Sequence, residues 1–258
     1  MTYEEHEGIR RSDLWHIRRS PMHFKYMMDH KLELTKSDAL RFGAAVHKFI
    51  LEPETFDDDY LIAPEVNRRT KAGRDQWEDF ELQCRAFGLG WVTLSEYEMF
   101  KEMLWALTQN DLATQLLLGK HEQEFYWTDD VTGEACKCKC DCITTYEGKP
   151  YIVDYKTTES CENGHFERSA RKYGYQFQAG MYCEGVFQNT FTEYGFAFVA
   201  QEKTPPYASR VYICDADYIK RGYDTFRELI GIYHDCKLSG RWFGYGGADN
   251  MPVPLLED

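Results

Sequence analysis

The chain has 258 residues, 43% hydrophobic, 16% aromatic and 28% charged, and its 30 Lys and Arg against 43 Asp and Glu leave a formal net charge of −13. At this length a core forms without help from disulfides or metals, and the composition excludes wholesale disorder and collagen-like structure. The acidic balance argues against a broad nucleic-acid-coating surface but leaves room for a narrow basic channel, since the field in a cleft is set by its nearest charges. No run approaches the roughly 18 apolar residues of a membrane span, and the polar start MTYEEHEGIRRSDL lacks a signal-like apolar stretch, so a cytoplasmic protein with no membrane partner is expected. The 9 cysteines are odd in number and 4 of them alternate along one short segment, which fits free thiols better than a disulfide framework.

The first half reads as helical. Ser12 is placed to cap a helix through LWHIRRS, and Ser20-Pro21 supplies the cap and first-turn proline of a second. Ser37-Asp38 then opens ALRFGAAVHKFILEP, with Leu40, Ala44, Phe49 and Ile50 at helical spacing and Pro53 at its end. Residues 54–72 read as a long loop carrying Arg68, Arg69 and Lys71, with Arg74 just beyond, and helices follow over about 74–87 and 95–118, the second interrupted near Asn110. After Gly119 the stretches EQEFYWTDD, EACKCKCDCITTY and PYIVDYKTT, broken by TGE and EGK, predict a three-stranded meander. A helical stretch over about 162–188, the strands EYGFAFVAQ and SRVYICD, a last helix over about 215–238 and a Gly- and Pro-rich tail complete the chain. The expected fold is α/β (α+β), one domain over 1–258 with a mainly helical part over 1–118 and a sheet core over 119–240, its central mixed sheet flanked by helices.

The chemistry concentrates between Lys137 and Lys156. Residues two apart in a strand share a face, so Lys137, Lys139 and Asp141 are expected on one side and Cys136, Cys138, Cys140 and Cys142 on the other. Asp154 and Lys156 project together in the same way, and a hairpin through YEGKP brings Asp141 beside Asp154. Two carboxylates and an ammonium suit Mg²⁺, or Mn²⁺ in its place, which acidifies water and bridges to phosphate while the lysine offsets developing charge. An isolated DxK is usually a surface ion pair. Here the earlier Asp, the apolar YIV lead-in and a following helix with Gln178 and Tyr182 at i,i+4 give it context. The cysteine ladder contains no CxxC, and alternate cysteines on one strand lie too far apart to close a tetrahedral site, so packing thiols are expected.

The array Asp141, Asp154-Tyr155-Lys156, then Gln178-x-x-x-Tyr182 resembles the PD-(D/E)xK nuclease superfamily, and in particular its lambda-type recombination exonucleases. FGAAVHKFILEP looks like the helix that carries a metal-binding His in the exodeoxyribonuclease VIII (RecE-like) group, and EFYWTDDVTGEACKCKCDCI like that group's first two core strands; the likeness spans roughly residues 10–230. It implies a restriction-endonuclease-like core with His47, Asp141 and Asp154 as metal ligands, the backbone carbonyl of Tyr155 completing the site, and Lys156 as the catalytic lysine. Gln178 and Tyr182 would lie against the active site or the DNA end, and Gly43, one turn before His47, would allow close backbone approach. Glu122 sits where the group often has an acidic residue but is not assigned as a ligand, and Cys140 stands where the superfamily motif has proline. The implied activity is Mg²⁺-dependent 5′-to-3′ digestion of linear double-stranded DNA in phage-type homologous recombination, in the cytoplasm of a bacterial or phage-infected cell. The implied partners are DNA ends, further copies of the chain in a ring-shaped homo-oligomer (trimer or tetramer), and a single-strand annealing protein. An endonuclease of the same superfamily and a catalytically silent DNA-binding module are the alternatives. The basic runs at 68–74 and 168–175 are candidate DNA contacts, and Arg10, Arg11, Arg18, Arg19 and Arg41 are candidates for a 5′-phosphate contact.

Overall fold

The computed structural model describes residues 2–30, 38–245 and 247; Ser37 and most of the Gly- and Pro-rich tail lie outside the described residues. Helix α1 (Arg11–Arg19) is followed by α2 (Pro21–His30), α3 (Asp38–Leu51), a single 3₁₀ turn, the one-turn α4 (Phe56–Asp59) and a short strand β1 (Tyr60–Ile62). Next come α5 (Lys71–Phe87), β2 (Gly90–Val92), α6 (Leu94–Thr108) and α7 (Asp111–Leu117). The sheet core then runs β3 (Lys120–Thr128), β4 (Ala135–Tyr146), β5 (Lys149–Thr158), α8 (Asn163–Tyr173), α9 (Tyr175–Thr190), β6 (Gly195–Glu202) and β7 (Ser209–Cys214), closed by α10 (Ala216–Ser239).

Local chemistry explains most boundaries. Ser20 Oγ accepts the His23 N–H ahead of Pro21, whose fixed φ suits the first turn. Asn110 accepts the Ala113 N–H and so starts α7 where one long helix was expected to be interrupted. Three expectations are corrected. Ser12 lies inside α1, because Arg10 is the N-cap residue and its N–H is taken by Asp13. The expected loop over 54–72 contains β1, which pairs in parallel with β2, and the expected helix over 162–188 is two, broken at Gly174 with φ +67°. In α3 the apolar face is Ala45, Val46, Phe49, Ile50 and Leu51, while Leu40 and Ala44 are exposed.

The five-stranded sheet has the order β3-β4-β5-β6-β7, antiparallel except for the parallel pair β5 and β6, whose crossover is α8 and α9. One face packs on α1, α2, α8, α9 and α10 through Leu14, Phe24, Phe166, Phe177 and Phe226. The opposite face packs on α3, α6 and α7 through Val46, Phe49, Phe100, Met103 and Leu116. A small third cluster of Ala63, Phe80 and Cys84 with Trp77 and Trp91 ties α5 to β1 and β2. Ahead of α1, residues 3–9 lie along the part of β4 that runs beyond β5. Ile9 bridges Cys136 in parallel register, and the buried Lys137 ammonium donates to the carbonyls of Tyr3 and His6, each at 2.6 Å. Among the described residues no helix is long and apolar enough to cross a membrane, and all nine cysteines are free, seven of them buried.

Candidate active site

The β3–β4 ladder is regular except at one place. His121 pairs with Cys142 and Gln123 with Cys140, which leaves Glu122 and Asp141 facing each other between them. Glu122 has φ +52°, a left-handed conformation that costs a non-glycine residue about 1–2 kcal/mol. The pleat changes parity there: Cys136, Cys138 and Cys140 face the core under α9, whereas Cys142 faces the opposite core and points at the Leu116 carbonyl. The expected single face for all four cysteines therefore fails at Cys142, because simple alternation does not survive a left-handed residue in the neighbouring strand.

The interruption re-aims Asp141. Continuing the β4–β5 register past the Cys142–Val153 pair brings Asp141 opposite Asp154, but the ladder ends short of them. In its place the Asp141 carboxylate accepts the Tyr155 backbone N–H at 2.8 Å. The other Asp141 neighbour comes from α3: His47 Nε2 lies 2.8 Å from Asp141 Oδ2 and Nδ1 lies 3.6 Å from Glu122 Oε1. Lys139 pairs with the second oxygen of Glu122. A Cβ on Gly43 would meet nothing within 4 Å, so the expected close backbone approach at Gly43 is absent. Tyr155 turns its ring away into the core, where its hydroxyl donates to the fully buried Gln201.

Asp154 is 2% exposed and faces α9. Its Oδ1 accepts from the Gln178 amide, and its Oδ2 lies 2.5 Å from Lys156 Nζ. The ammonium sits out of line, so this buried oxygen has the charge beside it but lacks an aligned hydrogen bond. Tyr182, one helical turn beyond Gln178, is half-buried, and burial reinforced by the nearby Cys138, Asp154 and Asp141 raises its phenol well above the ordinary range.

These groups perturb one another in a consistent sense. Burial, then the charge of Asp141, pushes the Asp154 carboxyl up to about 6 against the pull of Lys156. Burial acts upward on Asp141 too, but His47, Lys156 and the Tyr155 N–H outweigh it and hold that carboxyl below its usual range. For His47 and Lys156 burial acts downward, and the surrounding carboxylates overcome it, leaving both above their ordinary values. The carboxylates and the cations of the site thus hold one another in their charged forms, with Asp154 the one carboxyl pushed upward.

Among the described residues, His47, Glu122 and Asp141 form a group whose candidate ligand atoms all lie within 4.8 Å of one another. One imidazole nitrogen and two carboxylate oxygens, with water completing the shell, suit Mg²⁺ or Mn²⁺. Asp154 Oδ2, buried and beside the Lys156 ammonium, is a further oxygen next to this group. The donor set therefore fits a divalent metal. Glu122, left out of the ligand set on sequence grounds, stands inside this group, and Asp154 stands outside it, held by Lys156 and Gln178. The signal for Glu122 was its place opposite Asp141, visible only once the register was known.

The five candidate arginines separate clearly. Arg10 pairs with Asp13 and Glu4, Arg41 pairs with Glu96, and Arg19 meets the Tyr245 hydroxyl. Arg11 and Arg18 have no carboxylate at ion-pair distance among the described residues. The Arg11 guanidinium lies 5.0 Å from the Trp15 ring and 5.6 Å from that of Phe177, and its Nε is buried without a partner. Its Nη2 donates to the Tyr173 carbonyl, and burial lowers its pKa against the pull of Tyr182 and Asp154. The basic run at 68–74 lies apart, at the start of α5, where Arg68 covers Trp77 at 4.3 Å.

Comparison with known proteins agrees with this architecture. No curated protein matches the sequence. Among solved structures, a protein from Eubacterium rectale named "putative exonuclease" superposes with a TM-score of 0.65 at 16% identity, covering 100% of this chain and 96% of the other. A second, SSO0001, aligns over 70% of this chain and 84% of its own at 16% identity, with a TM-score of 0.30. Residues 11–251 match the family described as PDDEXK-like domain of unknown function (DUF3799). A five-stranded mixed sheet with an Asp-x-Lys strand, layered by helices, is the fold this description names, and the chain belongs to that family, within the PD-(D/E)xK nuclease superfamily.

Proposed function

We propose that the chain is a Mg²⁺-dependent deoxyribonuclease, with Mn²⁺ as a working substitute, that digests linear double-stranded DNA from the 5′ end toward the 3′ end in recombination of the phage type. The observation that carries the reading is the junction of two sets of groups, His47, Glu122 and Asp141 on one side and the Asp154–Lys156 pair on the other, where β4 and β5 part.

His47, Glu122 and Asp141 would hold the metal, with Asp154 Oδ2 as a further donor and the Tyr155 carbonyl as the backbone donor that the family resemblance implies. A divalent ion held there would supply Lewis-acid chemistry toward phosphate and a lowered pKa of water. The protein's own groups do the rest. His47 and the Tyr155 N–H fix the rotamer of Asp141 from two directions, and Gln178 fixes that of Asp154. Lys156, protonated and steered by Asp154, offers an ammonium to the negative charge that grows on the phosphoryl oxygens during displacement. Arg11, which also donates to the Tyr173 carbonyl, and Tyr182 lie near Asp154 on the α1 and α9 side, where they would add to Lys156 as partners for an approaching phosphate. The reading extends to a ring-shaped homo-oligomer, trimer or tetramer, threading the duplex, and to a single-strand annealing protein that takes up the exposed 3′ strand.

The test is digestion of linear duplex DNA labelled at one 5′ end, with Mg²⁺ or EDTA, beside Lys156→Ala. Metal-dependent release of labelled mononucleotide, lost in the variant, is the expected result. Cuts in a closed circular substrate would replace exonuclease with endonuclease, and DNA left intact with every metal would overturn the reading.

A further inference from the structure

A cavity of about 730 Å³ opens between α1, α8, β7 and the start of α10. Its floor is aromatic: the Phe166 and Tyr212 rings stack at 4.3 Å with 14° between their planes, and Phe198 lies alongside. Trp15 and Phe177 form one wall. Gly174 makes the wall possible, since a Cβ there would sit 2.3 Å from the Trp15 ring. The rim carries Arg18, Arg171 and Arg221, all exposed, and none of the three has an ion-pair partner among the described residues. Of the two acids at the cavity, Asp215 is already committed to capping α10 through the Tyr218 N–H, and Glu167 is the other.

The cavity adjoins the candidate active site through a single ring. Tyr175 has Lys156 Nζ 5.2 Å from its centroid and the Phe198 ring 5.2 Å away. The wall residues Trp15 and Phe177 also carry the Arg11 guanidinium.

We infer that this cavity holds one unpaired nucleotide of the DNA, next to the phosphate at the candidate active site, with its base against the half-buried Tyr212 ring, which is backed by the buried Phe166, and its phosphate at the arginine rim. The inference rests on the nuclease reading above and adds the form of the substrate. Aromatic faces stack any base without regard to sequence, and guanidinium groups meet phosphate with paired donors. A base inside a duplex has both faces covered and its edge paired, so only one that has left the stack can lie on this floor. The volume lies in the range of about 300–1,000 Å³ typical of pockets for one small ligand, too small for a duplex. An apolar peptide side chain would suit the floor but leave three guanidinium groups unmatched. DNA that supplies an unpaired terminal nucleotide is therefore the preferred substrate, and a blunt end must fray first.

The experiment compares wild type with Arg171→Ala/Arg221→Ala, a double change confined to exposed rim residues. Binding is measured in EDTA to a duplex bearing 2-aminopurine as an unpaired 5′-terminal nucleotide and to the same duplex fully paired, and digestion is measured in Mg²⁺. Wild type is expected to quench the unpaired 2-aminopurine on binding and to digest the frayed end faster than the blunt one. The double variant is expected to bind the frayed duplex about 10-fold more weakly, with a salt dependence shallower by about 0.7 in log–log slope, the loss of one phosphate contact. Tyr212→Phe, which keeps the ring, should quench like wild type, and Tyr212→Leu should not. If wild type digests DNA but quenching, affinity and salt slope are the same in all variants, the cavity assignment falls and the nuclease reading stands. If wild type neither binds nor digests any DNA, the nuclease reading falls and this inference with it.

Discussion

Helices α9 and α10 touch backbone to backbone, and Gly222→Ala tests whether that contact sets the position of Gln178. A Cβ on Gly222 would fall 1.9 Å from the Gln176 carbonyl oxygen and 2.7 Å from its carbon. Carbon and carbonyl oxygen ordinarily approach to about 3.3 Å, so the helices must part by about 1.4 Å. Gln176 stands two residues before Gln178, whose amide holds Asp154. Overpacking of this kind costs about 1–3 kcal/mol, and alanine's better helix propensity returns about 1 kcal/mol. The net loss is about 0–2 kcal/mol, a fall in Tm of at most roughly 8 °C for a chain of this size. A displacement near 1 Å at a positioning group costs about 100-fold in turnover, so activity should fall much further than stability. Gly231→Ala on the same helix is the control, since its Cβ would meet nothing within 4 Å, and it should raise stability by about 0.5–1 kcal/mol with full activity. Thermal unfolding followed by circular dichroism, beside Mg²⁺-dependent digestion of linear duplex, reads both quantities. Equal behaviour of the two alanine variants, or full activity in Gly222→Ala, would refute the reasoning.

Lys156→Ala should reduce turnover about 10²–10³-fold and lower Tm in EDTA, because it leaves the buried Asp154 carboxylate beside no ammonium; wild-type turnover in this variant would remove the lysine from the chemistry. Glu122→Gly should raise metal-free stability by about 1 kcal/mol through release of the left-handed strain, while shrinking the Tm increase that Mg²⁺ produces; an unchanged Mg²⁺ response would exclude Glu122 from the ligand set. Gln201→Leu strands the Tyr155 hydroxyl and the carbonyls of Met103 and Tyr207, at an expected cost of about 2–4 kcal/mol in urea unfolding. Asp129→Asn tests linkage away from the site. Burial raises the Asp129 carboxyl, but Arg227 and Thr132 outweigh it and hold it below its ordinary value. A depressed carboxyl adds stability that is complete above its unfolded pKa of about 3.9 and is lost as pH falls through the folded one. The Tm gap between wild type and Asp129→Asn should therefore be widest near neutrality and close below about pH 4; a gap unchanged across that window would reject the assignment.

The strand pattern and the order of elements were legible in the sequence because alternation, turn residues and caps are local signals. Ser20-Pro21, Asn110 and the turns in the meander act within a few residues, and those boundaries fall where the structure has them. The hairpin register that brings Asp141 toward Asp154 was legible for the same reason. The group around His47 was only partly so. That His47 reaches Asp141 depends on α3 crossing a strand more than ninety residues away in sequence, a relation that periodicity does not encode. Glu122 was named but not assigned as a ligand; its place beside His47 and Asp141 depends on a backbone conformation that glutamate does not favour, and Cys142 changed sides for the same reason. The arginines sorted only when their carboxylate partners were known. The cavity beside Tyr175 draws its lining from α1, α8, α9, β7 and α10, and no single segment announces it.

The seal that residues 3–9 form along β4 has a kinetic side. Until it closes, the peptide groups at Ala135 and Lys137 and the ammonium of Lys137 lack the partners that Ile9, Tyr3 and His6 supply. The contact joins positions 134 residues apart at its widest, and closures of that span come late because the chain entropy is lost before the contact is gained. A refolding chain should therefore pass through a species whose sheet is formed but whose rim is open, and strands from other copies compete for the same hydrogen bonds. Aggregation during refolding, more than loss of the folded state, is where damage to this short segment would first be felt.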